Sequence, residues 1–246
     1  MILITGGCSF SDCTYIKKEN STWPIYLSEN INLEKHYATG LDSIGNSLIS
    51  KKVLYTCEQL LKITNSENLL VGIMWSNPNR ETIYINGKIP RKAIPQTKLS
   101  NDDLGSWLIL NARHNNMIAK NYFVNLHDEV WGYIKTLEII LHTQWYLERK
   151  NIKYFMMPYE NYVFNEKLYE NTNVKWLYDQ IDFSKFITMT GCYEWCRDNT
   201  NFPFREHEEN LAIKHPTSDH HKSFTEKVII PWLENNQYIN GAQRED

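Results

Sequence analysis

The sequence MILITGGCSF at residues 1–10 predicts the first strand of the fold and the turn that follows it. Its first five residues are apolar or β-branched and uncharged, as in a strand buried on both faces of a sheet. Two glycines then break the strand, and Ser9 follows, with Ser11 and Asp12 as candidate caps of a helix just beyond. A hydroxyl on a tight strand-to-helix turn points out of the carboxyl edge of the sheet, where N–H groups of the helix start can stabilise a negative charge. Ser9 is therefore a candidate nucleophile; a plain connecting turn and a weak phosphate-binding loop are the alternatives.

The composition is that of an ordinary globular protein. The chain has 246 residues, 42% hydrophobic and 22% charged, which predicts one large domain or one domain with an insertion. The formal net charge of −3 argues against a nucleic-acid partner and against an anionic membrane surface. No apolar stretch is long enough to span a membrane, and no secretory signal is visible. We therefore expect a cytoplasmic or virion-associated protein.

The five cysteines indicate neither a disulfide framework nor a metal site. They are odd in number and irregularly spaced, which favours free thiols in a reducing compartment. Cys192 and Cys196 are four residues apart, but no second pair completes a zinc site. Histidines are concentrated between His207 and His221, yet no carboxylate pattern accompanies them. We expect no metal and no organic cofactor.

Short apolar runs alternate with amphipathic stretches, and this alternation predicts an α/β fold with a parallel sheet. Residues 81–125 lose this regularity, apart from an Asn-Gly turn at 86–87, and are interpreted as an insertion or cap within a single domain. Pro231 should kink or shorten the last helix. The predicted strands are 1–5, 32–38, 69–75 and 152–157, and the predicted helices are 45–62, 126–150, 174–181 and 218–234, with a further segment near 193–197.

The segment IKHPT at residues 213–217 offers a base for Ser9. An activated serine needs an imidazole to accept its proton. His215 lies just before the last helix, and the proline that follows it restricts the backbone. A surface histidine at a helix start is the alternative. His220 and His221 lie on the first turn of that helix, where they can contact a substrate or face solvent.

Two other loops carry groups that could stabilise an oxyanion. The third predicted strand ends in Ser76 and Asn77, at the carboxyl end where such donors are well placed. Ordinary Asn-Pro turn chemistry is the alternative there. The loop from Asp42 leads into the second helix, and its backbone N–H groups and Asn46 offer further donors. The alternative is that Ser43 or Asn46 is only a helix N-cap.

Taken in chain order, four segments of the sequence resemble those of the SGNH (GDSL-type) hydrolase family, and more closely its divergent branch in phage and bacterial genomes. The resemblance is carried by GGCSFSD at 6–12, SIGNSLIS at 43–50, GIMWSNPNR at 72–80 and HPTSDHH at 215–221. The resemblance implies a three-layer α/β/α, flavodoxin-like domain around a mostly parallel sheet.

The resemblance also implies roles for individual residues. Ser9 takes the place of the nucleophile, with its own N–H lining the oxyanion hole, and His215 matches the base. The candidates for the rest of the oxyanion hole are Asp42, Ser43, Asn46, Ser76 and Asn77, of which Asn46 would also support its loop.

The sequence departs from the family pattern at three places. The aspartate usual three residues before the histidine is absent, since Ala212 stands there. Asp42 occupies a position where a small residue is usual, and the asparagine of the third block is shifted or absent. A backbone carbonyl or another carboxylate can orient the imidazole instead. The nearest carboxylate candidates are Glu208, Glu209 and Asp219.

What the resemblance implies about function is a serine esterase that hydrolyses small acyl esters through a Ser–His acyl-enzyme mechanism. The expected substrates are O-acetyl groups on a carbohydrate, and Trp75, Arg80 and His221 are candidate pocket residues. The alternative is a non-catalytic glycan-binding or virion-associated module that keeps the hydrolase scaffold. A nucleotide-binding protein is a distant third, because the glycine pattern of the opening turn is incomplete.

Overall fold

The computed structural model describes residues 1–13, 21–85, 98–102, 104–111, 117–164, 170–207 and 210–239. The strands are β1 (Ile2–Gly6), β2 (Lys35–Ala38), β3 (Leu69–Trp75), β4 (Arg80–Ile85), β5 (Lys98–Asp102), β6 (Gly105–Asn111), β7 (Lys153–Pro158), β8 (Arg205–His207) and β9 (Asn210–His215). The helices are α1 (Trp23–Asn30), α2 (Asn46–Leu60), α3 (Met117–Asn125), α4 (Glu129–Arg149), α5 (Thr172–Tyr178), α6 (Cys192–Asn199), α7 (Ser218–Phe224) and α8 (Ile230–Asn235).

The centre of the fold is a four-stranded, all-parallel sheet in the order β2-β1-β3-β7. Every residue of β1 and β3 is buried, in agreement with the uninterrupted apolar character of both strands. Gly72 of β3 lies against the ring of Phe155, and a Cβ at that glycine would be 2.4 Å from a ring carbon. A side chain there would displace the ring. The predicted α/β fold with a parallel sheet is confirmed.

Helices cover both faces of this sheet. On one face α2 packs on β1 and β3, α4 packs on β7, and the two helices contact each other. Tyr154 of β7 points to that face, where its hydroxyl donates to Glu148 of α4 at 2.7 Å. The next residue, Phe155, points to the opposite face, where its ring lies 6.0 Å from that of Trp23 and 6.4 Å from that of Trp232. This is the three-layer α/β/α arrangement that the resemblance implied.

The expectation of irregular structure over residues 81–125 is wrong for the described part of that segment. β4, β6 and β5 form an antiparallel sheet in that order, and α3 follows it. Cross-strand pairing stabilises short runs of β-branched and aromatic residues whose individual signal is weak. The Asn-Gly turn expected at 86–87 lies outside the described residues.

The C-terminal helix is interrupted near Pro231, as expected. α7 leads into a π-helical turn over Thr225–Ile229, and α8 continues with Pro231 in its first turn. Proline has no N–H, and its ring clashes with the carbonyl four residues earlier, so the wider turn relieves that conflict. The helical segment as a whole covers nearly the predicted range, 218–234.

Two further elements differ from expectation. α4 begins at Glu129 rather than at residue 126, because the Asp128 side chain caps it by accepting the Trp131 N–H at 3.1 Å. β8 and β9 form an antiparallel ribbon, with Arg205 directly opposite His215, which the sequence did not predict.

In the described part of the chain, no helix is both long and apolar enough to cross a membrane.

Candidate active site

The Ser9 hydroxyl and the His215 imidazole meet beyond the carboxyl end of β1, although 206 positions separate them in the sequence. Ser9 Oγ lies 3.2 Å from His215 Nε2, within hydrogen-bond distance. Both residues are half-buried, so the pair keeps access to solvent. Ser9 follows the glycine turn after β1, and His215 is the last residue of β9. This arrangement can transfer a proton from a hydroxyl to an imidazole.

The turn that presents Ser9 depends on Gly7. Gly7 has a φ of +154°, and a Cβ there would lie 2.3 Å from Ser11 Oγ and 3.0 Å from the Met74 carbonyl oxygen. The Ser11 N–H closes the turn by donating to the Cys8 carbonyl at 2.8 Å. Glycine is therefore the residue that this backbone path requires.

The helix that Ser11 and Asp12 were expected to cap falls on residues 14–20, outside the described residues. In the described residues the first helix begins at Trp23, whose Nε1 donates to Ser11 Oγ at 2.8 Å. Asp12 Oδ2 accepts the backbone N–H of Asp42, also at 2.8 Å. Both side chains are buried and join the Ser9 turn to α1 and to the loop before α2.

Two backbone N–H groups at predicted oxyanion-hole positions, those of Ser9 and Ser43, have no acceptor among the described residues. Ser43 lies in the left-handed region with a φ of 68°, and its hydroxyl donates to Asp42 Oδ1 at 3.0 Å. The Leu41 N–H donates to the Gly7 carbonyl at 3.1 Å, which joins this loop to the Ser9 turn. Strained backbone of this kind is concentrated at functional sites. Their use as oxyanion donors stays a prediction, and no described residue competes for either N–H group.

Asn46 is engaged in the scaffold of the site. Its Nδ2 donates to the Ser76 carbonyl at 3.0 Å and to Thr136 Oγ1 at 3.1 Å, and its Oδ1 accepts the Ser76 N–H at 2.8 Å. Both N–H groups of the amide thus have acceptors within the protein. Asn46 supports the loop after β3 and has no donor left for a ligand.

The other candidates in that loop are also hydrogen-bonded. Ser76 is fully buried, and its Oγ accepts a hydrogen bond from Arg80 Nη1 at 2.9 Å. Asn77 Oδ1 accepts the Asn79 N–H at 2.7 Å, and its Nδ2 donates to the Tyr159 hydroxyl at 3.2 Å. Ser76 therefore offers no surface to a ligand, whereas the Asn77 amide keeps one N–H group.

Phe10, which the sequence analysis did not single out, links the rings of the site. Its ring centroid lies 5.3 Å from those of His215 and Tyr159 and 5.9 Å from that of His221, with edge-on geometry in each case. Phe10 is buried, so it limits the positions that the His215 ring can take. In the sequence, the one feature that could have pointed to Phe10 is its position directly after Ser9, the candidate nucleophile.

His221 is buried beside Phe10 and is 3% exposed. Burial lowers the pKa of His221 to about 3, and the positive charges of His220, His215 and Arg205 act in the same direction. Its Nδ1 has no hydrogen-bond partner within the part of the chain that the structure describes. The structure therefore places His221 in the packing behind the site, with little surface for a substrate.

Of the two remaining pocket candidates, Trp75 belongs to the core and Arg80 reaches the surface. Trp75 is fully buried, whereas Arg80 is half-buried with its guanidinium 5.4 Å from the Tyr159 ring centroid. Burial opposes the charge of Arg80, but its neighbours Cys8, Tyr159 and Asp42 together raise its pKa above the usual value. Arg80 thus keeps a permanent charge next to the residue before Ser9.

The group that orients His215 stays a prediction. Asp219 is exposed on the first turn of α7, and Glu208 and Glu209 lie outside the described residues. His215 has an interaction beyond its contacts with Ser9 and Phe10.

Among the described residues, no group of three or more His, Cys, Asp or Glu side chains is arranged to hold a metal ion. No protein-family model and no curated protein matches the chain.

Proposed function

We propose that this protein is a serine esterase that hydrolyses small acyl esters, with O-acetyl groups on a carbohydrate as its substrates. The observation that carries the proposal is the 3.2 Å contact between Ser9 Oγ and His215 Nε2. The resemblance to SGNH hydrolases supports it, because the residues that match the family's nucleophile and base are the two in contact. The α/β/α fold is the one that this resemblance implies.

In the first half of the reaction, Ser9 Oγ attacks the carbonyl carbon of the ester while its proton passes to His215 Nε2. The charge on the carbonyl oxygen is stabilised by the N–H groups of Ser9 and Ser43, which have no acceptor among the described residues. Collapse of the tetrahedral intermediate breaks the bond to the alcohol oxygen, which receives the proton from His215. An acyl group remains on Ser9.

In the second half, His215 Nε2 removes a proton from a water molecule, and the resulting hydroxide attacks the acyl carbon. The intermediate collapses with release of the carboxylic acid, and Ser9 Oγ recovers its proton from the imidazole. His215 begins each half-reaction neutral, with the proton on Nδ1, so that Nε2 can act as the acceptor.

The first test is hydrolysis of p-nitrophenyl acetate by the wild type and by Ser9→Ala. We expect Ser9→Ala to lower kcat/KM by about a thousand-fold or more, because the nucleophile is lost. Ser28→Ala on α1 is the matched control and should keep the wild-type rate, since Ser28 hydrogen-bonds to the Ile25 carbonyl of its own helix. Equal rates for the wild type and Ser9→Ala would contradict the proposal.

A second test does not depend on the choice of substrate. A fluorophosphonate should add one label to the wild-type protein, on Ser9, as measured by mass spectrometry of the intact chain and its peptides. His215→Ala should be labelled much more slowly, because its serine has no base, whereas His142→Ala, at an exposed position on α4, should be labelled like the wild type. Acetate release from acetylated xylan or peracetylated glucose then tests the carbohydrate assignment.

A further inference from the structure

Two arginines flank the Ser9–His215 pair from different elements. Arg80, the first residue of β4, donates to Ser76 Oγ at 2.9 Å and lies next to the thiol of Cys8, the residue before Ser9. Arg205 of β8 is directly opposite His215 of β9. Side chains of directly opposed residues in an antiparallel pair lie on the same face, so Arg205 and His215 emerge side by side.

Arg80 has no carboxylate partner for its charge within the described residues. It forms no ion pair there, and its neighbours are a hydroxyl, a thiol and the Tyr159 ring. Asp42 acts on it through space only, and the Asp42 side chain already accepts a hydrogen bond from Ser43. Holding a half-buried cation without an ion pair costs free energy unless another anion compensates it.

Access and geometry make Arg80 suited to a ligand. Arg80 is half-buried and Arg205 exposed, so neither residue is fully shielded from solvent. A guanidinium presents five N–H donors in a planar fork, and the bond from Nη1 to Ser76 fixes its position while leaving donors over. Such a fork matches a carboxylate, which it can bind through two parallel hydrogen bonds.

We propose that Arg80, assisted by Arg205, selects esters that carry a carboxylate close to the scissile bond, such as O-acetyl esters of acidic sugars. The inference rests on the proposed esterase function and names its substrate class. The protein as a whole carries a net charge of −3, so the local pair of cations is not a consequence of a generally basic surface. Arg80 is the primary contact because it is less exposed and held in place.

The test compares two aryl acetates, meta-acetoxybenzoate and its neutral analogue meta-acetoxybenzamide. The measured quantity is the ratio of their kcat/KM values for each variant, so that a general loss of activity cancels. We expect the wild type to prefer the carboxylate and Arg80→Gln to reduce this preference by roughly ten- to a hundred-fold. Arg80→Lys should retain part of it, and Arg205→Gln should reduce it by a smaller factor, because an exposed charge is screened.

Arg149→Gln is the matched control. Arg149 is exposed at the last position of α4, near the start of β7 and therefore at the opposite edge of the sheet from Ser9. The variant removes one positive charge from the chain and should keep the wild-type preference. A preference that survives in Arg80→Gln overturns the proposal. So does an equal loss on both esters, which would mean that Arg80 acts on the oxyanion common to them.

A binding measurement separates this proposal from the esterase assignment. Ser9→Ala cannot form the acyl-enzyme, so calorimetric titration with the two esters measures recognition alone. Tighter binding of the carboxylate that is lost in Ser9→Ala/Arg80→Gln supports the inference even if the wild type hydrolyses neither ester. Equal affinities for the carboxylate and the amide overturn it, whatever the catalytic result.

Discussion

The Asn46 side chain forms two hydrogen bonds with the backbone of Ser76, accepting its N–H at 2.8 Å and donating to its carbonyl at 3.0 Å. Asn46 begins α2, and Ser76 is the residue after β3, so the pair joins a helix to the edge of the sheet where Ser9 lies. Ser76 in turn accepts a hydrogen bond from Arg80. The buried Asn46 amide thus fixes the backbone of Ser76, and the Ser76 hydroxyl in turn positions the positively charged Arg80 side chain.

Asn46→Ala should lower the free energy of unfolding by about 2–4 kcal/mol, because it leaves a buried N–H and a buried carbonyl unpaired. Urea unfolding followed by circular dichroism measures the change. Asn68→Ala is the control: Asn68 is exposed and its side chain bonds to the nearby Thr64 side chain, so we expect a change within about 0.5 kcal/mol. Similar losses in the two variants would contradict the role of the Asn46–Ser76 contact.

The left-handed backbone of Ser43, with its φ of 68°, predicts an unusual order of substitutions. Ser43→Val should lower the free energy of unfolding by about 1–2 kcal/mol, because a β-branched residue is strained at positive φ. Ser43→Gly should change it by less than about 1 kcal/mol, since relief of strain offsets the greater entropy of the unfolded chain. The glycine variant keeps the backbone N–H and should therefore keep the proposed esterase activity.

Ser47→Val provides the comparison, because Ser47 lies in regular helix on α2. There valine and serine have similar helix propensities, and we expect a change within about 0.5 kcal/mol. If Ser43→Val were as stable as Ser43→Gly, the Ser43 conformation and its proposed use as an oxyanion donor would both be wrong.

The parts of the molecule that sequence could predict are those with a strong local cause. β3 was predicted at its observed bounds because seven apolar residues in a row, bounded by polar residues, fit a strand buried on both faces. The sequence also predicted that Ser9 lies on the turn at the carboxyl end of β1, because two glycines end that strand shortly before it. Predicting the contact between Ser9 and His215 also required the resemblance to SGNH hydrolases, because residues so far apart in sequence meet only through the tertiary fold.

The parts that sequence missed depend on tertiary partners. Ser11 and Asp12 accept hydrogen bonds from Trp23 and Asp42 on other elements, and no local pattern reveals these contacts. The small sheet over β4, β5 and β6 is stabilised by pairing between strands that are individually unremarkable in sequence. The sequence allows His221, on the first turn of a helix, either to contact a substrate or to face solvent, and its burial follows from how α7 packs against α1 and α6.

The free thiols expected from the sequence are confirmed, and their surroundings predict slow chemistry. All five cysteines are free, and each is buried except Cys13, which is half-buried. Burial raises the pKa of the Cys13 thiol to about 11 and that of Cys57 to about 12. At pH 8 the reactive thiolate of Cys13 is then roughly one part in a thousand.

We expect the native protein to react slowly with Ellman's reagent at pH 8 and the urea-unfolded protein to show five thiols at once. Cys13→Ser should remove the fastest phase of the native reaction, because Cys13 is the most accessible of the five. Stoichiometric labelling of one thiol within seconds, in the native state, would contradict the burial described for these residues.

The lowered pKa of His221 predicts a specific loss of stability in acid. Burial holds the folded-state pKa at about 3, below the unfolded value of about 6.5, so the neutral form is favoured in the folded protein. The resulting stabilisation is complete above the unfolded pKa and is lost as the pH falls from about 6.5 towards 3. The free-energy difference between the wild type and His221→Gln should therefore narrow by about 2 kcal/mol between pH 7 and pH 5. Ser223→Ala is the control, because it changes a buried residue of the same helix that does not titrate. Its free energy of unfolding should differ from that of the wild type by the same amount at both pH values. If the difference between the wild type and His221→Gln were also independent of pH, this histidine would not be held neutral by burial.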